Sequence, residues 1–297
     1  MKNFKLTIIV LHWNQLAVTR ACLKSLLEGS SARYQVLLVD NGSVDGSAEL
    51  LIKEFPQVNL IKNKTNLGFA AGNNVGIKAA LASGAERIML LNNDTIVEST
   101  AIFELDRTPF DISSPKIMVY DQPERVWFNG GGFLPVLNKP THINYYALDN
   151  SDMTMPFPTA WISGCCLLAG RQVFEAIGLL DEDYYHGYED VDWCCRAKQA
   201  GFSIGVIPKA KIFHKFAVSA GGKYSAFYTY FRTRNNLLFF RKRKWWFSLL
   251  LNLLTFPVYS FLISFKNQDK LAIKATAKAV SDFFFGRYGK GSADEFI

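Results

Sequence analysis

Short apolar runs alternate with helix-period segments through the first hundred residues of this chain. Residues 6–11, 35–39, 58–61 and 87–91 read as strands, and residues 16–28, 47–55 and 73–83 read as helices. Two of the strands, Ile8-Ile9-Val10-Leu11 and Val36-Leu37-Leu38-Val39, are apolar without alternation. Strands of that kind are buried on both faces, as in a parallel sheet with helices on each side. The pattern predicts an α/β fold, a doubly wound and mostly parallel sheet flanked by helices. Residues 109–160 are rich in Pro, Gly and aromatics and read as strand and loop material over one face of it. Residues 161–170 then read as a buried strand, 171–177 as a short helix, and 189–200 as a longer helix stopped by Gly201.

Each early strand runs into polar, turn-forming residues. Leu11 leads to His12-Trp13-Asn14, and Val39 leads to Asp40-Asn41-Gly42-Ser43-Val44-Asp45-Gly46-Ser47. Ile61 leads into Asn66-Leu67-Gly68-Phe69-Ala70-Ala71-Gly72-Asn73-Asn74, and Leu91 leads to Asn92-Asn93-Asp94. All four strands therefore deliver such residues to the carboxyl edge of the sheet, where open α/β folds bind ligands.

The tail reads differently. Residues 245–265 carry no charge, come directly after Arg241-Lys242-Arg243-Lys244, and are about long enough to cross a bilayer. Yet Ser248, Asn252, Thr255 and Tyr259 recur at helical spacing as a polar stripe, and Pro257 is expected to break or kink the helix. A second pattern sets Lys270, Lys274 and Lys278 on one face and Ile273, Ala277, Val280 and Phe284 on another. Attachment along a membrane surface, packing on protein or on a second copy, and a true span all remain open.

Charge sharpens that picture. The chain has 297 residues, 49% of them hydrophobic, and a net charge of +7. Between Asp192 and Asp269 there is no acidic residue, while thirteen of the 33 basic residues fall there. A neutral-to-acidic body thus carries a basic C-terminal third, which points to an anionic partner. The five cysteines include two adjacent pairs, Cys165-Cys166 and Cys194-Cys195, poorly placed for disulfides and without zinc spacing. They read as buried packing residues in a reducing compartment. The apolar run after Met1 is too short for a signal sequence, so the catalytic part is expected in the cytoplasm.

Three places could carry chemistry. Asp94, beside Asn92 and Asn93, offers hard oxygen ligands for Mg²⁺ or Mn²⁺; capping of a helix near Ser99 is the alternative. Glu189, Asp190 and Asp192 crowd three carboxylates into four residues. They serve either a helix dipole or a general base, whose pKa the neighbours would raise. His214, ending a strand-like run, is either structural or a metal ligand.

Taken together and in order, these motifs resemble the family 2 glycosyltransferases. They are most similar to the bacterial rhamnosyltransferase-like branch that builds O-antigen and other surface or cell-wall polysaccharides. The likeness runs over about residues 5–240 and includes Asp40-Asn41-Gly42-Ser43, Asn66-Leu67-Gly68-Phe69, Asn92-Asn93-Asp94, Gly187-Tyr188-Glu189-Asp190-Val191-Asp192, His214 and Tyr230-Phe231-Arg232-Thr233-Arg234-Asn235. The resemblance implies a GT-A fold, to which residues 1–225 are assigned as the catalytic domain; residues 226–297 read by composition as a basic, apolar helical tail for which membrane association is one of the alternatives above. It implies inverting transfer of rhamnose or a similar hexose from a dTDP- or UDP-sugar to a lipid-linked glycan acceptor.

By the same resemblance, Asp40 binds the donor's base and Asn14 shapes that pocket. Asn66, Gly68, Asn92 and Asn93 line the donor site. Asp94 and His214 hold a Mg²⁺ or Mn²⁺ ion, Asp190 is the base with Glu189 beside it, and Trp161, Gly164 and Arg234 meet the acceptor. One departure is that Asn92 stands at the first aspartate position of the D-x-D motif, which lowers the negative charge at the metal.

Rival readings are weaker on the residues. A nucleotidyltransferase would carry a Gly-rich basic turn after the first strand, and a dinucleotide oxidoreductase would carry G-x-G-x-x-G there. His12-Trp13-Asn14 is neither. A non-catalytic nucleic-acid or membrane binder would use the basic third alone and would leave the four polar strand ends without a purpose. The expected partners are therefore a nucleotide-diphosphate sugar, a glycan acceptor and an anionic membrane surface on the inner face of the plasma membrane. Nucleic acid is not among them, and a homodimer is left open.

Overall fold

The computed structural model describes residues 5–28, 34–149, 154–215, 225–266 and 268–296; residues 1–4, which the signal-sequence reading included, lie outside these. The first elements alternate as the hydrophobic pattern requires. They are β1 (Leu6–His12), α1 (Leu16–Glu28), β2 (Tyr34–Asp40), α2 (Ser47–Glu54), β3 (Asn59–Lys62), α3 (Gly68–Ala82) and β4 (Arg87–Asn92). Strand β1 lies between β2 and β4, and β3 lies outside β2, all parallel. Ile8, Ile9 and Val10 have no exposure at all, which is why this strand tolerates no polar position.

The second half extends the same sheet. It contributes β5 (Thr95–Val97), α4 (Ala101–Asp106), β6 (Ile112–Val119), β7 (Gln122–Phe128), a separate hairpin β8 (Gly131–Phe133) with β9 (Pro140–His142), and β10 (Phe157–Pro158). Then come β11 (Cys166–Gly170), α5 (Arg171–Ile177), α6 (Glu189–Gln199) and β12 (Ile204–His214). The strand order is β10-β12-β6-β11-β4-β1-β2-β3, with β5 on β12 and β7 on β6. Strand β11 runs antiparallel to both β4 and β6, whereas β12 is parallel to β6. The strand expected over 161–170 forms only from Cys166. The stretch before it turns across the strand ends, with one isolated bridge from Trp161 to Gly131.

Helix α3 corrects a second expectation. It begins at Gly68, not Asn73, so Gly68 to Gly72 are helical residues and not loop. A Cβ at Gly72 would stand 2.7 Å from Leu11 Cδ1, and one at Gly76 would stand 2.6 Å from Ile9 Cγ2. The glycines let the helix lie directly on the sheet. Asn74 then ties it to the second half, donating to Leu180 O at 2.9 Å and accepting from Leu180 N at 3.1 Å.

The tail folds as α7 (Ala226–Lys242), α8 (Trp246–Lys266) and α9 (Lys270–Phe284). Leu237, Leu238, Phe239 and Phe240 of α7 belong to the main core. Helix α8 runs unbroken through Pro257, although the ring removes one backbone donor from the helix. Its inward residues are Ser248, Asn252, Phe256 and Ser264, whereas Thr255 and Tyr259, expected in the polar stripe, are exposed. The reason is local. Thr255 satisfies its hydroxyl on Leu251 O one turn back, at 2.7 Å, and needs no partner inside. In α9 the packed face is Ala272, Ala275, Ala279 and Phe283, not the expected row through Ala277 and Phe284. Small side chains bring this helix close to its neighbours where larger ones could not. All five cysteines are buried and free, and burial pushes the Cys22 thiol up to about 12.

Gly76→Ala tests the close helix–sheet contact. Overpacking against Ile9 and Val39 should outweigh the helix-propensity gain of about 1 kcal/mol, for a net loss of ~1–2 kcal/mol in denaturant unfolding. An unchanged midpoint would mean that the helix stands off the sheet.

Candidate active site

Strand register brings the polar turns to one line. His12 of β1 pairs with Asp40 of β2, and Leu11 pairs with Asn92 of β4, so three adjacent strands end at the same level. Asp40 is fully buried at that edge. Its Oδ1 accepts from Ser43 N at 3.0 Å, while Oδ2 is buried without a hydrogen-bond partner among the described residues. A buried carboxylate oxygen left unsatisfied is costly, so Asp40 is suited to a ligand N–H. Asn14, in a left-handed conformation, binds this loop twice: its N–H donates to Ser43 Oγ at 2.8 Å and its Oδ1 accepts from Val44 N at 3.2 Å.

A directional chain of hydrogen bonds runs behind these turns. Asn93 Nδ2 donates to Thr19 Oγ1 at 2.8 Å, and Thr19 Oγ1 lies 2.8 Å from His12 Nδ1, to which it donates when a neutral His12 carries its proton on Nε2. His12 Nε2 then donates to Ser47 Oγ at 2.7 Å, and Ser47 donates to Asp45. Burial holds the His12 pKa below its usual value, consistent with the neutral imidazole that this chain requires. Asn93 thus faces α1 through its side-chain amide, which fastens the Asn92–Asp94 turn to the Asp40–Ser47 loop.

On the other side Asn41 organises the entrance to α3. Its Nδ2 reaches Asn66 Oδ1 at 3.0 Å and Gly68 O at 3.1 Å, and its Oδ1 accepts from Leu67 N at 3.1 Å. Gly68 has φ +82°, and a Cβ there would meet the Tyr185 ring at 2.5 Å. Phe69 N donates to Tyr185 O at 2.7 Å. Asn66 and Gly68 therefore join the strand end to the 183–188 loop.

Asp94 does not cap a helix. The strand β5 comes next, and α4 begins only at Ala101. Because β5 pairs antiparallel with β12, Thr95 sits opposite His214, and Asp94 Oδ1 lies 3.1 Å from His214 Nε2. Both residues are buried. Trp127 stands edge-on to the His214 ring at 4.4 Å between centroids, and His142 also packs on Trp127, at 5.0 Å. One carboxylate oxygen and one imidazole nitrogen at this separation are a donor set that would suit a hard divalent ion such as Mg²⁺ or Mn²⁺. Among the described residues no cluster of three or more His, Cys, Asp or Glu gathers into a complete protein-only metal site.

The three acidic residues of α6 separate. Asp192 turns inward to Arg196 at 2.9 Å and Arg243 at 3.2 Å, a structural pairing. Asp190 is half-buried, and its Oδ2 accepts from Gly164 N at 2.8 Å. Glu189 is 4% exposed, with Oε2 buried and unpartnered among the described residues. Burial raises the pKa of Asp190 and raises that of Glu189 well above the carboxylate range; the neighbouring Asp190 adds to the latter. The pair is thus one proton holder and one more readily ionised carboxylate. Gly164 leaves little room for a side chain, since a Cβ would come within 3.1 Å of Phe69 Cε1. Next to it, Cys165 O accepts from Asn92 N at 2.9 Å, which brings the Asp94 turn and Asp190 to one place. The Cys165 thiol feels both carboxylates.

Two expected acceptor contacts sit elsewhere. Arg234 has no exposed surface; its guanidinium lies beside Tyr230 and Phe231 and donates to the carbonyls of Asp183 and Tyr184 at 3.2 and 3.1 Å. Trp161 is 3% exposed, with its indole N–H on Gly132 O at 2.9 Å and its ring against Gly131. Each has exchanged an external partner for an internal one, and they shape the site from behind. Sequence reasoning missed His186, which stands among Phe69, Phe227 and Phe231 and is held neutral by burial, its pKa lowered to about 4. Its place before Gly187 in the acidic motif was the available signal. Trp127 and His142 had none, since only the pairing of β7 with β6 beside β12 and the fold of the β8–β9 hairpin bring them to His214.

The profile of glycosyl transferase family 2 matches residues 7–178. The low-salt glycan biosynthesis hexosyltransferase Agl10 of Haloferax volcanii is 27% identical over 229 residues, covering 73% of this chain and 70% of its own. The dTDP-rhamnosyl transferase RfbF of Shigella flexneri is 25% identical over 218 residues, 70% of this chain and 71% of its own. The N-acetylglucosaminyl-diphospho-decaprenol L-rhamnosyltransferase of Mycobacterium tuberculosis is 28% identical over 225 residues, 67% and 72% respectively. A crystal structure of GalNAc-T7 with UDP, GalNAc and Mn²⁺ superposes with a TM-score of 0.57 at 12% identity, over 72% of this chain and 44% of that one. The likeness concerns the fold alone, which is of the GT-A type.

Glu189→Gln tests the buried proton holder. Folding raises the Glu189 pKa, so its contribution to stability is complete below the unfolded value and is lost as pH climbs toward the folded one. Relative to wild type, the variant should therefore gain in Tm as pH is raised and show no gain in acid. A pH-independent Tm difference would mean that Glu189 is not held protonated.

Proposed function

The chain belongs to glycosyl transferase family 2, in its rhamnosyltransferase-like branch, and from that premise we propose inverting transfer of a hexose such as rhamnose. The donor is a dTDP- or UDP-sugar, and the acceptor is a lipid-linked surface glycan of the O-antigen or cell-wall kind. The observation that carries this reading is the convergence of Asp40, the Asp94–His214 pair and Asp190 on one sheet edge. The relatives named for rhamnosyl and hexosyl transfer support the sugar class, and the one acting on a diphospho-decaprenol supports the lipid-linked acceptor.

Each residue then has a task. Asp40 Oδ2 takes an N–H of the pyrimidine base, and Asn14 holds that loop in shape. Asn66, Gly68, Asn92 and Asn93 fix the walls around the nucleotide. Asp94 and His214 are the residues that would hold a Mg²⁺ or Mn²⁺ ion, which would supply positive charge against the departing diphosphate. Asp190 removes the acceptor hydroxyl's proton, held in line by the Gly164 N–H. Glu189, protonated beside it, leaves the negative charge on Asp190 and can donate to a sugar oxygen. Residues 1–225 carry the reacting groups, and residues 226–297, whose first helix α7 also braces the 183–188 loop, supply attachment to the cytoplasmic face of the membrane where the acceptor resides.

Asp94→Ala should abolish the Mn²⁺-dependent part of the thermal shift produced by the nucleotide sugar. A shift that keeps its full metal dependence would sink the Asp94 assignment. Asp190→Asn should leave that shift intact and lower turnover by roughly 10²-fold or more. Wild-type turnover there would remove Asp190 as the base.

A further inference from the structure

Helix α8 is turned the opposite way from a surface helix in water. Small polar side chains face the protein. Ser248 accepts from Asn138 Nδ2 at 2.9 Å, Asn252 reaches Leu137 O at 3.4 Å, and Thr233 Oγ1 meets Ser260 Oγ at 3.4 Å. Large apolar side chains face outward: Phe247, Leu250, Leu254, Val258, Phe261 and Phe265 are 44–66% exposed. Their spacing of three or four residues lays them along one stripe. A contiguous apolar stripe of this length marks an interaction surface.

Charge decides what covers it. Exposed Lys244 stands at one end of the helix and exposed Lys266 at the other, in a stretch free of acidic residues from 193 to 268; exposed Lys270 follows at the start of α9, after the capping Asp269. A second copy packed through this face would set lysine end against lysine end in either the parallel or the antiparallel arrangement. Like charges brought together in that way oppose association. A bilayer with anionic headgroups meets both features at once. The helix is long and apolar enough to cross a membrane, yet it is packed lengthwise on the protein through Ser248, Asn252 and Phe256. It therefore presents a side and not an end.

We propose that α8 lies in the plane of an anionic membrane surface, with its outward stripe at the acyl-chain boundary and its terminal lysines among the headgroups. This deepens the lipid-linked acceptor reading, on which its purpose rests. The β8–β9 hairpin connects the surface to the chemistry. Its tip bonds α8 through Asn138 and Ser248, and its base carries His142 against Trp127 and thus toward His214.

Sedimentation of the full-length protein with phosphatidylcholine vesicles, with and without phosphatidylglycerol, tests the proposal without any substrate. The wild type should pellet with the anionic vesicles and more weakly with the neutral ones. Leu250→Ser/Leu254→Ser/Phe261→Ser should lose about 100-fold or more in partitioning to both. Lys244→Ala/Lys266→Ala/Lys270→Ala should lose about fivefold per lysine on anionic vesicles only. All should keep the nucleotide-sugar thermal shift, which reports folding and donor binding separately. The proposal is overturned if the wild type stays in the supernatant with anionic vesicles, or if the serine variant binds as the wild type does. It is also overturned by a dimer that the serine variant dissolves, or by membrane-bound protein in cells that alkaline carbonate fails to release.

Discussion

The grip of α7 on the loop from Asp183 to Gly187 holds the two sides of the cleft in register. Tyr185, Gly187 and Tyr188 have φ of +61°, +82° and +78°, a conformation that costs each tyrosine about 1–3 kcal/mol. Buried groups on α7 offset that cost. Asn235 Nδ2 reaches the carbonyls of Tyr184, His186 and Gly187 at 2.8–2.9 Å, Arg234 takes those of Asp183 and Tyr184, and Asn236 reaches Tyr188 Oη at 2.8 Å. The loop so fixed does two things at once. Its Tyr185 carbonyl receives the first N–H groups of α3 and so places Asn66 and Gly68. Its other end launches α6 with Glu189 and Asp190 in the first turn. The first helix of the tail is therefore part of the scaffold on which the transfer chemistry depends.

A second linkage runs through the interior of the sheet. The chain from Asn93 through Thr19, His12 and Ser47 to Asp45 has one donor direction throughout, and each hydroxyl both donates and accepts. Such a chain admits one tautomer of His12 and one orientation for each turn. It explains why a histidine stands at the end of the most apolar strand. It also explains how the Asp40–Ser47 loop and the Asn92–Asp94 turn, far apart in sequence, are held at a fixed separation.

The parallel half of the sheet was legible in the sequence because it is made from local patterns: unbroken apolar runs of strand length, each ending in a polar turn. The helix over 16–28 and the short helix over 171–177 fell where their periodicity put them. The start of α3 was misplaced because Asn66 through Asn74 has turn-like composition, and only contact with β1 reveals that Gly72 and Gly76 serve close packing. The candidate site was legible as a set of strand ends, since Asp40, Asn92 and Asp94 follow from register alone. Arg234 and Trp161 were placed at the acceptor because nothing local distinguishes an arginine that binds a ligand from one that binds carbonyls of its own chain. The hairpin that carries His142 to Trp127 depends on pairing among Gly-rich segments, where the hydrophobic period is silent.

The tail shows how the same composition admits opposite geometries. A polar stripe on an apolar helix ordinarily faces water, and read that way Ser248 and Asn252 would be the outer face of α8. Here the protein offers them the carbonyls and amides of the 136–138 turn, and Thr233 of α7 meets Ser260, so the polar row is satisfied inside. Satisfying it there leaves the leucines and phenylalanines no place but outside. The inward hydrogen bonds and the outward apolar stripe are thus one choice, made by the hairpin. Through Trp127 that hairpin also backs His214, so the structure that turns α8 outward is the one that frames the Asp94–His214 pair.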